Sequence, residues 1–224
     1  MEYEILYRPS YSLLKMKLAK AETVTAESGA MVSMSNTIGI QTEMKGGLFG
    51  ALKRSVLGGE SFFMNTFTAA DAGEISFAPP LPGDIAGIEL KNQTVFAQSR
   101  AYIASTAGVQ IDTKWGGAKT FFSKEGLFLL KISGTGHVFI CSYGAIHEIE
   151  LAAGQKYIVD TGHMVEFAEG VGYGVKKVGG LKSTLLSGEG LVCELTGPGK
   201  IMIQTRSEDA FLSWLIPQIP KQHS

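Results

Sequence analysis

The sequence predicts an all-β fold of three tandem, related units, with a short helix inserted in the first unit and a second helix near the C-terminal end. Two observations support this prediction. Short apolar or alternating stretches bounded by turn residues fill most of the 224-residue chain, which contains 28 glycines. In addition, one series of strand and turn residues occurs three times in the same order. Because one such unit cannot bury its apolar face alone, we expect a single domain over residues 1–224 around a pseudo-threefold axis.

Strand signals are distributed over the whole chain. The clearest stretches are rich in β-branched and aromatic residues, and Gly, Asn, Asp or Pro lies near their ends. Turns are predicted at Pro82-Gly83, at Gly134-Thr135-Gly136 and at Pro198-Gly199. The predicted strands are LLKMKL, VFAQSRAYIA, GLFLLKI, HVFICS, IHEIEL and KIMIQT.

The threefold repetition rests on an alignment without gaps. It joins VTAESGAMVSM from Val24, VFAQSRAYIAS from Val95 and YIVDTGHMVEF from Tyr157. In each copy a double glycine follows, then a strand that begins with Glu, then a glycine and an alternating strand. We therefore place the units at residues 1–83, 84–147 and 148–206. The equivalent positions include Ser28, Ser99 and Thr161; Met31, Tyr102 and Met164; and Val32, Ile103 and Val165.

Two stretches are predicted to be helical. The first is LFGALKRSVL, which begins at Leu48, ends at Leu57 and lies between two pairs of glycines. Its apolar face either covers the end of the β core or contacts a protein partner or a membrane surface. The second is EDAFLSWLIPQI in a tail at residues 207–220, where Ser207 is a suitable N-cap and acidic residues occupy the first turn.

The composition argues against several classes of protein. The formal net charge is -1 and the pI about 6.4, so bulk charge attracts neither nucleic acid nor an anionic membrane. No apolar run approaches the roughly 20 residues that span a bilayer, and the acidic opening MEYEILYRPS does not fit a signal peptide. Cys141 and Cys193 form no redox or metal motif and are predicted to be buried thiols in a reducing compartment. We therefore expect a soluble, cytoplasmic protein.

The stretch YIVDTGHMVEF contains the strongest candidate site. Asp160 and His163 flank a small turn, and a carboxylate that orients an imidazole is common in catalytic and metal sites. In the other two copies the Asp position is Glu27 or Gln98, and the His position is alanine. The recurring polar residue predicts a backbone hydrogen bond that every copy needs. The alternative is a small-ligand or catalytic site that includes Asp160, His163 and Glu166.

Other motifs for catalysis or cofactor binding are missing from the sequence. No GxSxG, GxGxxG or GxxxxGK[ST] stretch occurs. We predict no catalytic residue, no cofactor and no metal ligand, and hence a protein without enzymatic activity. The histidines form neither HxH nor HExxH: His137, His147, His163 and His223.

Stretches along nearly the whole chain match one family in order: ESGAMVSM, GGESFFMNTFTA, LPGDI, GVQIDTKWGG, EGLFLLKISGTGHVFICSYGAI, YIVDTGHMVEF, SGEGLVCELTGPGKIMIQTR and the tail around FLSWLIP. On these residues the chain resembles uncharacterised bacterial and archaeal proteins grouped with the yeast "altered inheritance of mitochondria" protein. The resemblance implies a fold like three copies of the tryptophan RNA-binding attenuator subunit, a short double-stranded β-helix or sandwich. It implies no enzymatic activity, and the eukaryotic members are linked to mitochondrial organisation.

We therefore expect a cytoplasmic assembly or binding protein that forms a homo-oligomer, because the attenuator fold commonly forms rings and the apolar segments can supply interface area. The attenuator resemblance also suggests single-stranded RNA binding as an alternative. Such binding requires aromatic side chains beside a basic groove. The basic residues are scattered and form no stripe in the sequence: Arg8, Lys15, Lys17, Lys53, Arg54, Arg100 and Arg206.

Overall fold

The computed structural model describes residues 1–43, 62–113, 128–177 and 191–220, and these residues form a mostly β structure, which confirms the predicted class. The first strands are β1 (Glu2–Leu6), β2 (Leu13–Leu18), β3 (Thr23–Glu27), β4 (Met31–Met34), β5 (Ile38–Glu43), β6 (Met64–Ala69) and β7 (Gly73–Phe77). The next are β8 (Ile85–Gln98), β9 (Tyr102–Thr106), β10 (Val109–Asp112) and β11 (Leu129–Cys141). The last are β12 (Ile146–Leu151), β13 (Lys156–Asp160), β14 (Met164–Ala168), β15 (Gly172–Lys177), β16 (Leu191–Thr196) and β17 (Gly199–Gln204).

The strands pair antiparallel in three sheets. The first sheet has the order β1-β2-β7-β4, and the third has the order β13-β16-β15. The 10-stranded sheet has the order β12-β17-β14-β8-β11-β9-β3-β6-β5, with β10 beside β11. Among the described strands β4 and β13 lie at sheet edges and do not pair with each other. Strand pairing among the described residues therefore does not show the expected closure around a pseudo-threefold axis, because β4 and β13 are edges of two different sheets.

The strands β8 and β11 are longer than the sequence pattern predicts. The turn expected at Gly134-Thr135-Gly136 lies inside β11, where the register against β8 shifts between Gly134 and Thr135. Gly134 has a φ of +119°, and a Cβ at this position would lie 2.2 Å from the Gly108 carbonyl oxygen. The glycines make no chain reversal, because pairing with β8 continues on both sides. The bulged residue at the register shift is Asn92 of β8, which has no partner in β11 and has a φ of +57°.

The stretch VFAQSRAYIA, predicted as one strand, is interrupted by a 3-10 turn at Ser99–Ala101. The Ser99 N–H donates to the Phe128 carbonyl oxygen at 2.8 Å. The turn sends the chain from β8, which pairs with β14, into β9, which pairs with β3. A second 3-10 turn at Thr161–His163 separates β13 from β14 in the same way. The turn expected between Asp160 and His163 is therefore present, whereas the turn at Ser99–Ala101 was not predicted.

Apolar side chains between the sheets form three clusters. Each cluster takes side chains from neighbouring parts of the chain: Phe139 of β11 joins the first, and Val165 of β14 joins the second. The clusters therefore interlock, and each depends on strands that belong to the next. Their large buried members are Phe67, Phe77 and Phe139 in the first; Tyr102, Leu130 and Ile140 in the second; and Phe96, Phe167 and Leu195 in the third.

The C-terminal helix α1 (Glu208–Leu215) forms as predicted. The Ser207 hydroxyl accepts a hydrogen bond from an N–H of the first turn. An ion pair between Arg100 and Glu208 and an edge-on contact between Phe211 and Tyr143 hold the helix against the turn after β8 and the end of β11. No helix in the described ranges is long and apolar enough to cross a membrane. The other predicted helix, from Leu48 to Leu57, lies outside the described residues.

The predicted turn in LPGDI positions a buried carboxylate. Asp84 is only 2% exposed. It accepts two hydrogen bonds from the Arg8 guanidinium, each 2.8 Å long, and one from the Ser12 hydroxyl at 2.9 Å. Burial raises the pKa of Asp84, but the hydrogen bonds from Arg8 and Ser12 outweigh burial and hold this pKa below its usual value. The network ties the N-terminal loop to the connection between β7 and β8.

Candidate functional site

Asp160 closes the turn between β13 and β14. Its Oδ1 accepts a hydrogen bond from the Gly162 N–H at 2.8 Å. The backbone hydrogen bond predicted for this position is therefore made. Gln98, which aligns with Asp160, makes no such side-chain bond at the start of its own 3-10 turn. The expectation that every copy uses this bond is wrong. The bond connects a side-chain oxygen to the N–H of the second residue after it, and this short distance suits Asp better than the longer Gln.

His163 bonds to the backbone of β17. Its Nδ1 lies 2.7 Å from the Gln204 carbonyl oxygen. Because a carbonyl oxygen can only accept, Nδ1 carries the hydrogen. The Gln204 side chain in turn donates to the Gly162 carbonyl oxygen at 2.9 Å. The structure thus places Asp160 and His163 in one turn, but these hydrogen bonds direct their polar atoms to separate backbone partners.

Glu166, the third residue of the alternative site, is a buried carboxyl. It is 3% exposed and lies on β14 opposite Ala97 of β8. Burial raises the pKa of Glu166 to about 8; Lys200 acts to lower it, and Glu148 acts to raise it. Lys200 and Glu148 form an ion pair with each other at 2.8 Å. The fold therefore favours the neutral acid at neutral pH.

The cysteines and histidines assemble no metal site in the part of the chain that the structure describes. No three side chains from His, Cys, Asp and Glu come together there as potential ligands. Cys141 and Cys193 are free and buried, as predicted, and burial raises the pKa of each thiol to about 12. Since the thiolate is the nucleophile, neither cysteine is activated for covalent chemistry at neutral pH.

A cleft of about 600 Å³ opens where three parts of the chain meet. Glu27, Gln98 and Gln204, at the ends of β3, β8 and β17, contribute to its walls. The ion pair between Arg100 and Glu208 lies on one side. The sequence alignment identified Glu27 and Gln98 as equivalent polar residues, but no sequence signal connected them with Gln204 or Glu208. Amides and paired opposite charges of this kind select no single class of ligand.

Two strand pairings connect successive parts of the fold. In the first junction β3 pairs with β9, and Thr25 faces Ser105. In the second junction β8 pairs with β14, and Phe96 faces Phe167. Thr25 and Phe96 share one position of the sequence alignment, and Ser105 and Phe167 share another. The two junctions therefore have the same register.

β4 and β13 hold the corresponding positions at the sheet edges, and their apolar side chains are exposed. Val32 of β4 is 58% exposed, whereas its aligned residues Ile103 and Val165 are 1% and 0% exposed. Ile158 of β13 is 57% exposed, whereas the aligned Phe96 is 9% exposed. The Val32 position is buried in both junctions and the Ile158 position in the second, but both positions are exposed at the edges.

Comparison with known proteins identifies the family. The mitochondrial biogenesis AIM24 family matches residues 3–206. The chain belongs to this family. An uncharacterised protein of Streptococcus pyogenes serotype M6 is 26% identical over 228 residues, which cover 98% of this chain and 92% of the relative. An X-ray crystal structure of a Streptococcus pyogenes protein, also 26% identical, matches with a TM-score of 0.81 and covers 97% of this chain and 99% of its own.

The AIM24 match confirms the family resemblance found in the sequence, and no specific function comes with it. The family description names mitochondrial biogenesis, a cellular process, and the relative's name gives no biochemical activity. The function of this AIM24-family chain therefore has to follow from its own surfaces.

Several basic residues of this AIM24-family chain are engaged with acidic partners. A cation held by a carboxylate contributes less to binding phosphates than a free cation does. Lys53 and Arg54 lie outside the described residues. The ion pairs are Arg8 with Asp84, Lys15 with Glu74, Lys17 with Glu2, and Arg100 with Glu208.

Proposed function

We propose that this chain is a non-enzymatic, cytoplasmic subunit of a homo-oligomer, built from three copies of one attenuator-like β unit. The repeat is supported by strand pairing. In each copy, the strand after the turn pairs with the last strand of that copy: β4 with β7, β9 with β11, and β14 with β17. Each of these pairings skips one residue, and the skipped residues Val32, Ile103 and Val165 share one position of the sequence alignment.

The exposed apolar edges carry the proposal of self-association. Other edges of the described sheets contain charged residues that discourage strand addition: β1 reads EYEIL, β12 reads IHEIEL and β15 reads GYGVKK. β4 reads MVSM and has no charged residue, and β13 reads KYIVD, with charged residues only at its two ends. Edges whose central side chains are uncharged, apolar and exposed are typical of surfaces that pair with another strand.

Pairing these edges has two favourable effects. It removes apolar surface from water, which stabilises by roughly 25 cal/mol per Å². It also gives partners to the backbone N–H and C=O groups along each edge, which are otherwise exposed to water. A second protein chain supplies both effects more readily than a small ligand does, because a strand matches the full length of the edge.

Native mass spectrometry of the untagged protein tests the proposal. We expect a homo-oligomer whose mass is a whole multiple of the 23.9 kDa chain, without added mass. A strict monomer at high concentration would contradict self-association. A co-purifying metabolite or metal would favour the small-ligand alternative, and salt-dependent binding of oligonucleotides would favour the RNA-binding alternative.

A further inference from the structure

We infer that β4 of one protomer pairs antiparallel with β13 of a second copy, head to tail, in the register of the two internal junctions. The inference rests on the proposed homo-oligomer and names the surfaces through which it forms. In this register Ile158 of one copy lies opposite Met34 of the next, and Val159 lies opposite Ser33. The contact forms a third junction of the same kind, but between two chains.

The rule for partners comes from the internal junctions. In each of them, the strand that precedes a turn in one copy of the unit pairs with the strand that follows the turn in the next copy: β3 with β9, and β8 with β14. β13 precedes the turn of the third copy, and β4 follows the turn of the first copy. Among the described strands, β13 therefore has no partner equivalent to β9 or β14, and β4 has no partner equivalent to β3 or β8. A second chain supplies each with the missing kind of strand.

The facing side chains suit one another at this third junction. At the central position the first junction pairs two polar residues, Thr25 and Ser105. The second pairs two aromatic residues, Phe96 and Phe167, whose rings stack with centroids 5.3 Å apart. The third brings together Ile158 and Met34, which are 57% and 36% exposed in the single chain. At this position each junction therefore pairs two side chains of the same chemical type: polar, aromatic or aliphatic.

Head-to-tail pairing determines the kind of assembly. Two chains joined by one such junction still leave one β4 and one β13 without a partner chain. Addition of chains therefore continues until the first and last edges meet in a ring, or without end if the rotation does not close. Pairing of β4 with β4, in contrast, stops at a dimer.

Substitutions that block one edge at a time test this arrangement. Met34→Lys places a charge in β4, and Ile158→Lys places one in β13; both side chains are exposed in the single chain, so we expect each variant to fold. Each variant alone is expected to be a monomer. An equimolar mixture is expected to give a dimer, because each variant keeps the edge that the other has lost. Leu212→Lys on α1, where Leu212 is 44% exposed, is the matched control and should assemble like the wild type.

Disulfide trapping tests the register. The native Cys141 and Cys193 are buried, so introduced cysteines provide the reactive thiols of the described surface. Under mild oxidation the double variant Met34→Cys and Ile158→Cys should form covalent multimers. Pairing Val32→Cys with Ile158→Cys is out of register by two residues, which places the Cα atoms beyond the roughly 7 Å that a disulfide spans. We expect at least about tenfold less product from it.

The outcomes separate this inference from the proposed function. If the wild-type protein is a monomer, both fail. If the wild type is an oligomer and both lysine variants keep its mass, the homo-oligomer stands and the interface is wrong. A disulfide within one chain, or multimers from Met34→Cys alone, would also overturn the head-to-tail arrangement.

Discussion

Glu166 shows how burial gives a single residue a property that its place in the sequence does not reveal. It is nearly inaccessible on β14, and burial raises its pKa from 4.5 to about 8. Between these two values the folded protein binds more protons at this carboxyl than the unfolded chain does. Raising the pH through this window therefore lowers the free energy of unfolding, by up to about 1.4 kcal/mol per pH unit, and the loss levels off above the folded pKa.

A substitution that removes the ionisation should remove this pH dependence. Glu166→Gln keeps the shape of the side chain without a titrating group. We expect its free energy of unfolding, relative to wild type, to rise steadily from about pH 5 to about pH 8 in urea denaturation at fixed protein concentration. Glu150→Gln, at an exposed site on β12, is the control and should leave the profile unchanged. Parallel curves for wild type and Glu166→Gln would show that Glu166 ionises normally in the fold.

Asp160 and His163 are predicted to be structural residues. Asp160→Ala removes the acceptor for the Gly162 N–H and should lower the free energy of unfolding by about 1 kcal/mol, as loss of a cap does. Asp160→Asn retains an oxygen acceptor and should cost less. His163→Ala should also lower stability, because the Gln204 carbonyl loses its donor. Thermal or urea unfolding measures all three variants.

A catalytic or ligand-binding pair would give the opposite pattern. Asp160→Asn would then be as harmful as Asp160→Ala, since the negative charge and not the acceptor would matter. Loss of a co-purifying ligand from a fully stable His163→Ala variant would likewise refute the structural role.

The limits of sequence analysis at this site have a physical cause. The alignment of the three segments showed that the Asp160 position is polar in each of them and that a histidine occurs only at His163. The hydrogen bond from the Gly162 N–H to Asp160 followed from local turn chemistry. The partner of His163 lies on β17, 41 residues away. The burial of Glu166 depends on β8, which comes from another part of the chain. Contacts of this range leave no periodic signal in one sequence.

Among the secondary-structure elements, β11 depends most clearly on one glycine. Gly134→Ala would place a Cβ 2.2 Å from the Gly108 carbonyl oxygen, at a φ of +119°. We expect the free energy of unfolding to fall by roughly 1–3 kcal/mol, because strain of this size accompanies such backbone positions. Gly174→Ala on β15 is the matched control: its Cβ meets no atom within 4 Å, and we expect a change within about 1 kcal/mol. Equal effects of the two substitutions, measured by urea unfolding, would contradict the close approach of Gly134 to the Gly108 carbonyl.

The same element explains one error of the sequence analysis. Two glycines around Thr135 fit a tight turn as well as a bulge, because both need a positive φ. The choice depends on whether β8 continues alongside, which is a long-range pairing over 13 residues of β11. The helix α1 was easier to predict, since its N-cap and its apolar positions lie within one short stretch.

For the whole molecule, the sequence predicts a threefold repetition but not the way in which the units would be arranged. The alignment predicts three units of similar structure, because aligned residues have similar residues next to them in the sequence. It does not contain the rotation between one unit and the next, so closure around a threefold axis was an assumption about geometry. The described sheets leave β4 and β13 as edges of two different sheets, so strand pairing among the described residues shows no such closure.

Assembly through those edges predicts a thermal stability that depends on protein concentration. If unfolding separates the chains, mass action stabilises the folded oligomer by up to about 1.4 kcal/mol per chain for each tenfold rise in concentration. For a chain of this length that corresponds to an increase in Tm of up to about 3–6 °C. Calorimetry of the wild type over about a hundredfold range of concentration should show this increase, whereas Ile158→Lys should have a constant Tm. A constant Tm in both proteins would mean that the edge strands do not hold chains together, and that the exposed Val32 and Ile158 require another explanation.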